Sequence, residues 1–267
     1  MFYVYLCLSA AAVPILDKFF PILRYSYSWW LVPVLFISVF VAFILLHAII
    51  FVGSLMLVKP GKTPKCVGYY KLLAKLTLPL ISKILRMKIN LSGEELIPEN
   101  ARFIIIANHT SILDPVILMA ALPECEFAFI AKKETTKMPV VPQFITSQGG
   151  VFVDRENLRS GAKALIDVIN LLKKDKASVG IFPEGTRSKT GEVLPFKSGA
   201  VKAAAKANVP LTVCTIKGAA NVFKNFPLRS SPIAIDILKT YSAKEISAAD
   251  SEELQNEARA IMIENLK

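Results

Sequence analysis

Cysteine and histidine are scarce in this chain, and that scarcity excludes several kinds of chemistry. Cys7, Cys66, Cys125 and Cys214 lie far apart with no C-x-x-C pair. Neither a disulfide scaffold nor a cysteine zinc site is expected, and the thiols read as reduced. His47 and His109 are the two histidines in 267 residues, so no multi-histidine metal cluster can be built. A G-x-S-x-G elbow is missing, which disfavours a serine hydrolase. Cys125 sits between Glu124 and Glu126, without the basic neighbours that activate a thiol nucleophile. Low hydrophobicity is missing too: 53% of the residues are hydrophobic and the mean hydropathy is +0.47, which excludes global disorder.

Charge is also missing in places. From Trp29 to Val58 no residue is charged. A helix needs about 20 apolar residues to cross the hydrocarbon core, so this stretch is long enough to span or to dip in and return. Residues 1–16 are apolar but lack the positive start of a signal peptide, so no cleavage is expected. A second span and an interfacial helix both fit them. Residues 59–90 contain no acid and eight bases: Lys59, Lys62, Lys65, Lys71, Lys75, Lys83, Arg86 and Lys88. Such a band beside an apolar span marks the cytoplasmic flank. It reads as a basic amphipathic segment, broken by Pro79, lying on anionic membrane lipid. Nucleic acid is not the expected partner, because residues 91–267 are nearly neutral.

Beyond about Asn90 short apolar runs alternate with helical patterns. Strands are expected at Phe103–Ala107, Phe127–Ile130, Val151–Val153, Val179–Phe182, Leu211–Ile216 and Ile233–Leu238. Helices are expected at Leu158–Lys174, Ser198–Ala207 and Ser251–Leu266. The expected architecture is α/β: a mixed, largely parallel sheet flanked by helices, preceded by an N-terminal membrane-embedded helical segment. Three regions follow: 1–58 in the membrane, 59–90 on its surface, and 91–267 as the globular domain.

His109 follows the strand FIIIAN and precedes a helix, so it can lie at the mouth of a site. Asp114 is five residues on. In one continuous helix the two would point about 140° apart, so they pair only if His109 is outside it. Asp114 and Pro115 suit an N-cap and first-turn pair; alternatively Ser111 caps and Asp114 occupies the first turn. A carboxylate on one imidazole nitrogen would free the other as a general base. The same two residues also fit a capping aspartate beside an incidental histidine. A second feature is FPEGTRS, in which Glu184, Gly185, Thr186 and Arg187 follow a strand. Arg187 can grip a phosphate with two N–H groups, and Glu184 can accept from a sugar or glycerol hydroxyl. The spacing is not that of a P-loop. A third is GGVFVDR, a strand ending in Arg155.

The order Asn108-His109-x-x-x-x-Asp114, GGVFVDR, FPEGTRS and Val209-Pro210-Leu211-Thr212-Val213 resembles the four blocks of the glycerolipid acyltransferase family, in particular its lysophosphatidate acyltransferases. Lys132-Lys133-Glu134, Pro139 and Leu194–Gly199 fit the same pattern. The resemblance covers roughly residues 85–220. It implies transfer of an acyl group from a thioester, acyl-CoA or acyl carrier protein, to the hydroxyl of lysophosphatidic acid. The product would be phosphatidic acid; glycerol-3-phosphate or another lysolipid is the alternative acceptor. No bound cofactor or metal is implied. His109 would be the base and Asp114 its orienting carboxylate. Arg155, Glu184, Gly185, Thr186 and Arg187 would line the acceptor site, with Lys132, Lys133 and Lys197 adding positive charge. Met138–Ile145 would supply apolar wall for the acyl chain. The fourth block departs from its usual V-P-I-x-P, with Val213 in place of the second proline.

Overall fold

A computed structural model describes residues 1–19, 30–62, 67–154 and 157–267, which divide into two units, Met1–Leu57 and Val58–Lys267. The first unit is a helical pair, α1 (Phe2–Phe19) and α2 (Leu31–Met56). Among the described residues α2 is the one helix long and apolar enough to cross a membrane. Aromatic rings join the two helices: Phe2 meets Phe40 edge-on at 5.3 Å, and Tyr5 stacks on Phe43 at 5.9 Å. The imidazole of His47, buried in α2, meets the Tyr5 hydroxyl with 2.6 Å between Oη and Nδ1. A polar group inside an apolar helix thus has its partner on the neighbouring helix.

The second unit runs α3 (Val67–Ile84), β1 (Met87–Ser92), β2 (Ile104–Ala107), α4 (Asp114–Ala121), β3 (Ala128–Lys132), α5 (Val141–Ser147), β4 (Val151–Val153) and α6 (Leu158–Lys173). It continues with β5 (Val179–Ile181), α7 (Gly199–Ala207), β6 (Leu211–Lys217), α8 (Val222–Asn225), β7 (Ser231–Tyr241), α9 (Ala243–Ala248) and α10 (Ser251–Leu266). The seven strands form one sheet in the order β1-β7-β6-β2-β5-β3-β4. Every pairing is parallel except β6 with β7. The expected mixed, largely parallel α/β sheet is what forms, with β7 longer than its sequence pattern suggests.

Strand alternation separates two cores. Ile105 and Ala107 of β2 face α3 and α4, packing with Ala74, Leu78, Ile117 and Leu118. Ile104 and Ile106 face the other way, onto Val168 of α6, Ala203 of α7 and Met262 of α10. Helices therefore cover both faces, as a mainly parallel sheet requires.

Helix α3 and strand β1 belong to the unit that begins at Val58. Pro79 does not break the helix, since α3 runs through it. A helix-interior proline costs about 3 kcal/mol, and burial of Ala74, Leu78 and Leu80 around it outweighs that cost. Met87, Ile89 and Leu91 alternate with Lys88, Asn90 and Ser92, a period of two that pairs as β1 along β7. Two lysines of the band serve the domain internally. Lys71 reaches Glu126 at 2.8 Å and Lys75 pairs with Glu124.

Candidate active site

Strand β2 ends at Ala107, and the next residue locks that end in place. The Asn108 side chain exchanges two hydrogen bonds with the backbone of Ile216 on β6, at 2.7 and 3.0 Å. His109 is therefore held at the carboxyl edge of the sheet, where open α/β sheets place their ligands. Its backbone N–H donates to Glu184 Oε1 at 2.8 Å, and its carbonyl accepts from the Ser188 N–H at 2.8 Å. The loop after β5 thus grips the loop after β2 from both sides.

The imidazole lies flat on Phe182, with centroids 4.2 Å apart, and Phe182 stacks in turn on Phe129 at 5.9 Å. Gly180 makes room for that stack, because a Cβ there would fall 2.1 Å from the Phe129 ring. Asp114 opens α4 at its first helical position and is fully buried. Its Oδ2 accepts three hydrogen bonds at 2.8 Å, from His109 Nδ1 and from the backbone N–H groups of Thr110 and Ser111. Of the two arrangements open from sequence, Asp114 in the first turn is the one that forms. Ser111 does not cap the helix but accepts from the Leu113 N–H at 3.2 Å. With Nδ1 on the carboxylate, Nε2 of His109 is the nitrogen left to act on a substrate proton.

Glu184 is nearly as buried, at 5% exposure. Its second oxygen, Oε2, accepts from the Leu194 N–H at 3.1 Å. Burial raises its carboxyl above the usual glutamate range, opposed by the two backbone N–H groups. Each oxygen accepts one backbone N–H, so Glu184 braces the loop that carries His109. Gly185 takes φ +72°, and a Cβ there would fall 3.0 Å from Cε of Lys197. The positive φ favours glycine, and its missing Cβ leaves room for the Lys197 stem. Arg187 is exposed and lines a cavity of about 670 Å³ with Asn108, Thr110, Thr186, Lys189 and Lys224.

A site of this geometry can take a proton from a hydroxyl at His109 while holding an anion at Arg187. Residues 88–217 match the sequence pattern of the acyltransferase family. The 1-acyl-sn-glycerol-3-phosphate acyltransferase of Borreliella burgdorferi is 31% identical over 183 residues, covering 68% of this chain and 72% of that protein. The chain belongs to the acyltransferase family. The coconut (Cocos nucifera) enzyme of the same name is 33% identical over 58% of this chain, which spans only 49% of that relative. The crystal structure of the 1-acyl-sn-glycerophosphate (LPA) acyltransferase PlsC from Thermotoga maritima superimposes with a TM-score of 0.59. It is 27% identical and covers 83% of this chain and 94% of that one.

In this acyltransferase the remaining sequence-derived residues distribute unevenly. Lys132 and Lys133 flank the end of β3 and carry acid partners, Glu134 at 3.0 Å and Asp154 at 3.1 Å. Arg155 lies outside the described residues. Its strand β4 is separated from β5 by β3, so the two arginine-bearing loops are not on adjacent strands. Met138 is exposed, whereas Phe144 of α5 packs on the core. Burial pushes the Cys125 thiol up to about 11, in keeping with an inert thiol.

Sequence reasoning misses the supports. Arg259 of α10 donates to the carbonyls of Val193 at 2.7 Å and Leu194 at 3.1 Å, and Gln255 donates to that of Phe196 at 3.1 Å. The last helix thereby holds the loop that Glu184 grips from the other side. No spacing signal in the sequence ties residue 259 to residue 194.

Proposed function

We propose that this acyltransferase moves a fatty acyl group from a thioester donor to the free hydroxyl of lysophosphatidic acid, giving phosphatidic acid. The observation that carries the chemistry is the 2.8 Å contact between His109 Nδ1 and a buried Asp114 carboxylate. Asp114 fixes the imidazole so that Nε2 meets the acceptor hydroxyl. As the hydroxyl oxygen attacks the thioester carbonyl, Nε2 takes its proton. Collapse of the tetrahedral adduct breaks the C–S bond, and the proton passes to the leaving thiolate. A positioned base contributes about 10²–10⁴-fold to such a step. Arg187, with Thr186 and Lys197 nearby, receives the phosphate. Arg155 also serves the phosphate, Lys132 and Lys133 add positive charge, and Glu184 holds His109 in place. The names of the relatives support lysophosphatidate as acceptor.

The donor is acyl-CoA or acyl carrier protein. Residues 1–58 embed in the membrane through α2, and the basic band of residues 59–90, apart from the paired Lys71 and Lys75, meets anionic lipid on the cytoplasmic side, where the catalytic domain works. The test is acyl transfer by the purified chain to lysophosphatidate, glycerol-3-phosphate and other lysolipids, with each donor. Lysophosphatidate should have the highest kcat/KM, and His109→Ala should abolish transfer. Preference for another acceptor would move the assignment there, and turnover in His109→Ala would remove the base.

A further inference from the structure

The loop between β6 and β7, residues 218–230, exposes apolar side chains where a water-facing loop would carry polar ones. Leu228 is 85% exposed, more than any other large apolar side chain described, and Phe223 and Phe226 are 59% and 40% exposed. The loop is nevertheless firmly attached. Val222 is fully buried in the core, and Asn225 donates to the Ser231 hydroxyl at 3.0 Å. Its three apolar side chains are therefore exposed on an anchored loop, an arrangement that marks a contact surface.

Position and charge indicate what it contacts. Strand β6 runs parallel to β2, with Cys214 beside Ala107. The loop after β6 thus leaves the same edge of the sheet as His109. Asn221 and Lys224 line the cavity that also holds Arg187 and Thr110. Between Glu192 and Asp236 the sequence contains no acid, while Lys224 and Arg229 flank the exposed rings. Rings and a leucine beside bases, in a stretch without acids, are complementary to one surface in particular, a bilayer with anionic headgroups. The geometry points to residues 223–229 as a membrane-inserting wedge on the rim of the candidate site. Phe223, Phe226 and Leu228 enter the acyl region while Lys224 and Arg229 stay among the phosphates. The wedge opens the cavity toward lipid, so an acceptor can enter without crossing water.

Insertion can be read without turnover, so it does not depend on the acceptor assignment. In the full chain with Trp29→Phe and Trp30→Phe, Leu228→Trp supplies a sole tryptophan, and Phe223→Trp a second sensor. The protein is reconstituted into vesicles of brominated phosphatidylcholine, with and without phosphatidylglycerol. Both sensors should emit to the blue and be quenched by the brominated chains. Lys224→Ala and Arg229→Ala should each weaken insertion about fivefold, in the anionic vesicles only. Emission typical of water overturns the proposal. So does blue emission that the bromines do not quench, which would mean burial against protein, a second copy included. Phe223→Asp with Leu228→Asp should lower kcat/KM at least fivefold for bilayer-borne acceptor and leave detergent-dispersed acceptor unaffected; equal losses in both overturn it.

Discussion

Asp114 offers the sharpest test, because one oxygen of one buried side chain carries both a loop and a chemical step. Oδ2 accepts from His109 Nδ1, Thr110 N and Ser111 N, each at 2.8 Å. Asp114→Ala removes all three bonds. Each hydrogen bond to a charged group is worth about 1.5–3 kcal/mol, and such losses do not add fully. A net cost of about 3–5 kcal/mol follows, the size expected for breaking a buried charged contact. Asp114→Asn is the informative partner. Its carbonyl oxygen can replace Oδ2 and keep both backbone N–H groups satisfied. Its NH₂ then stands where Oδ1 is buried with no partner among the described residues. The expected loss is about 1–3 kcal/mol, from one unpaired polar group. The imidazole loses its anion, and turnover should drop about 10²–10⁴-fold. Thermal unfolding in detergent, with thiol release from acyl-CoA as the rate assay, measures both. Asparagine should keep most of the stability and little of the rate; alanine should lose both. Wild-type kcat in Asp114→Asn, or an unchanged Tm in Asp114→Ala, would refute the reasoning.

Other outcomes follow from the same geometry. Glu184→Gln should lower kcat with little change in the KM for acceptor, since the carboxylate positions His109; a raised KM at normal kcat would return it to the substrate site. Burial raises the Glu184 carboxyl, so its stability contribution is present below the usual glutamate range and lost as pH rises through the raised value. Tm profiles against pH should therefore show Glu184→Gln spared that loss, and a steeper loss in the variant contradicts the sign. Arg187→Lys keeps the charge but loses the two-pronged grip, so the KM for lysophosphatidate should rise more than that for the donor in steady-state assays. Arg259→Ala should cut kcat several-fold through the 188–198 loop, with Arg259→Lys restoring part, and unchanged kinetics would show that the loop holds itself.

The strands after residue 100 are legible because each is a short apolar run bounded by turn residues, the pattern of a strand buried on both faces. β1 is not legible in the same way. Its lysine, asparagine and serine alternate with only three apolar residues, directly behind a leucine-rich helix, and the eye extends the helix through them. Pro79 misleads for a related reason. Local propensity breaks a helix there, and only the buried contacts of α3 on either side overrule it. At the site, His109 and Asp114 are visible from spacing plus the strand that precedes them. Glu184 is visible as a residue but not as a support, because its partners are backbone N–H groups that any sequence carries. Arg259 is invisible, since it meets carbonyls more than sixty residues away.

These supports give the site its logic. Acyl transfer to a hydroxyl needs a base held to a fraction of an ångström, yet His109 sits on a loop, the least constrained kind of segment. The protein resolves this by removing the loop's freedom from several directions. Asn108 ties it to β6, Asp114 ties Thr110 and Ser111 to α4, and Glu184 and Ser188 hold the backbone of His109 itself. Phe182 supplies a flat floor for the ring. Two of these restraints are buried carboxylates aimed at N–H groups, so electrostatic attraction and geometry act together. Arg187 by contrast is exposed and carries no such bracing among the described residues. That difference separates the two jobs. On the function proposed above, the proton-transfer group is fixed before substrate arrives, whereas the arginine proposed to meet the phosphate stands exposed on its loop.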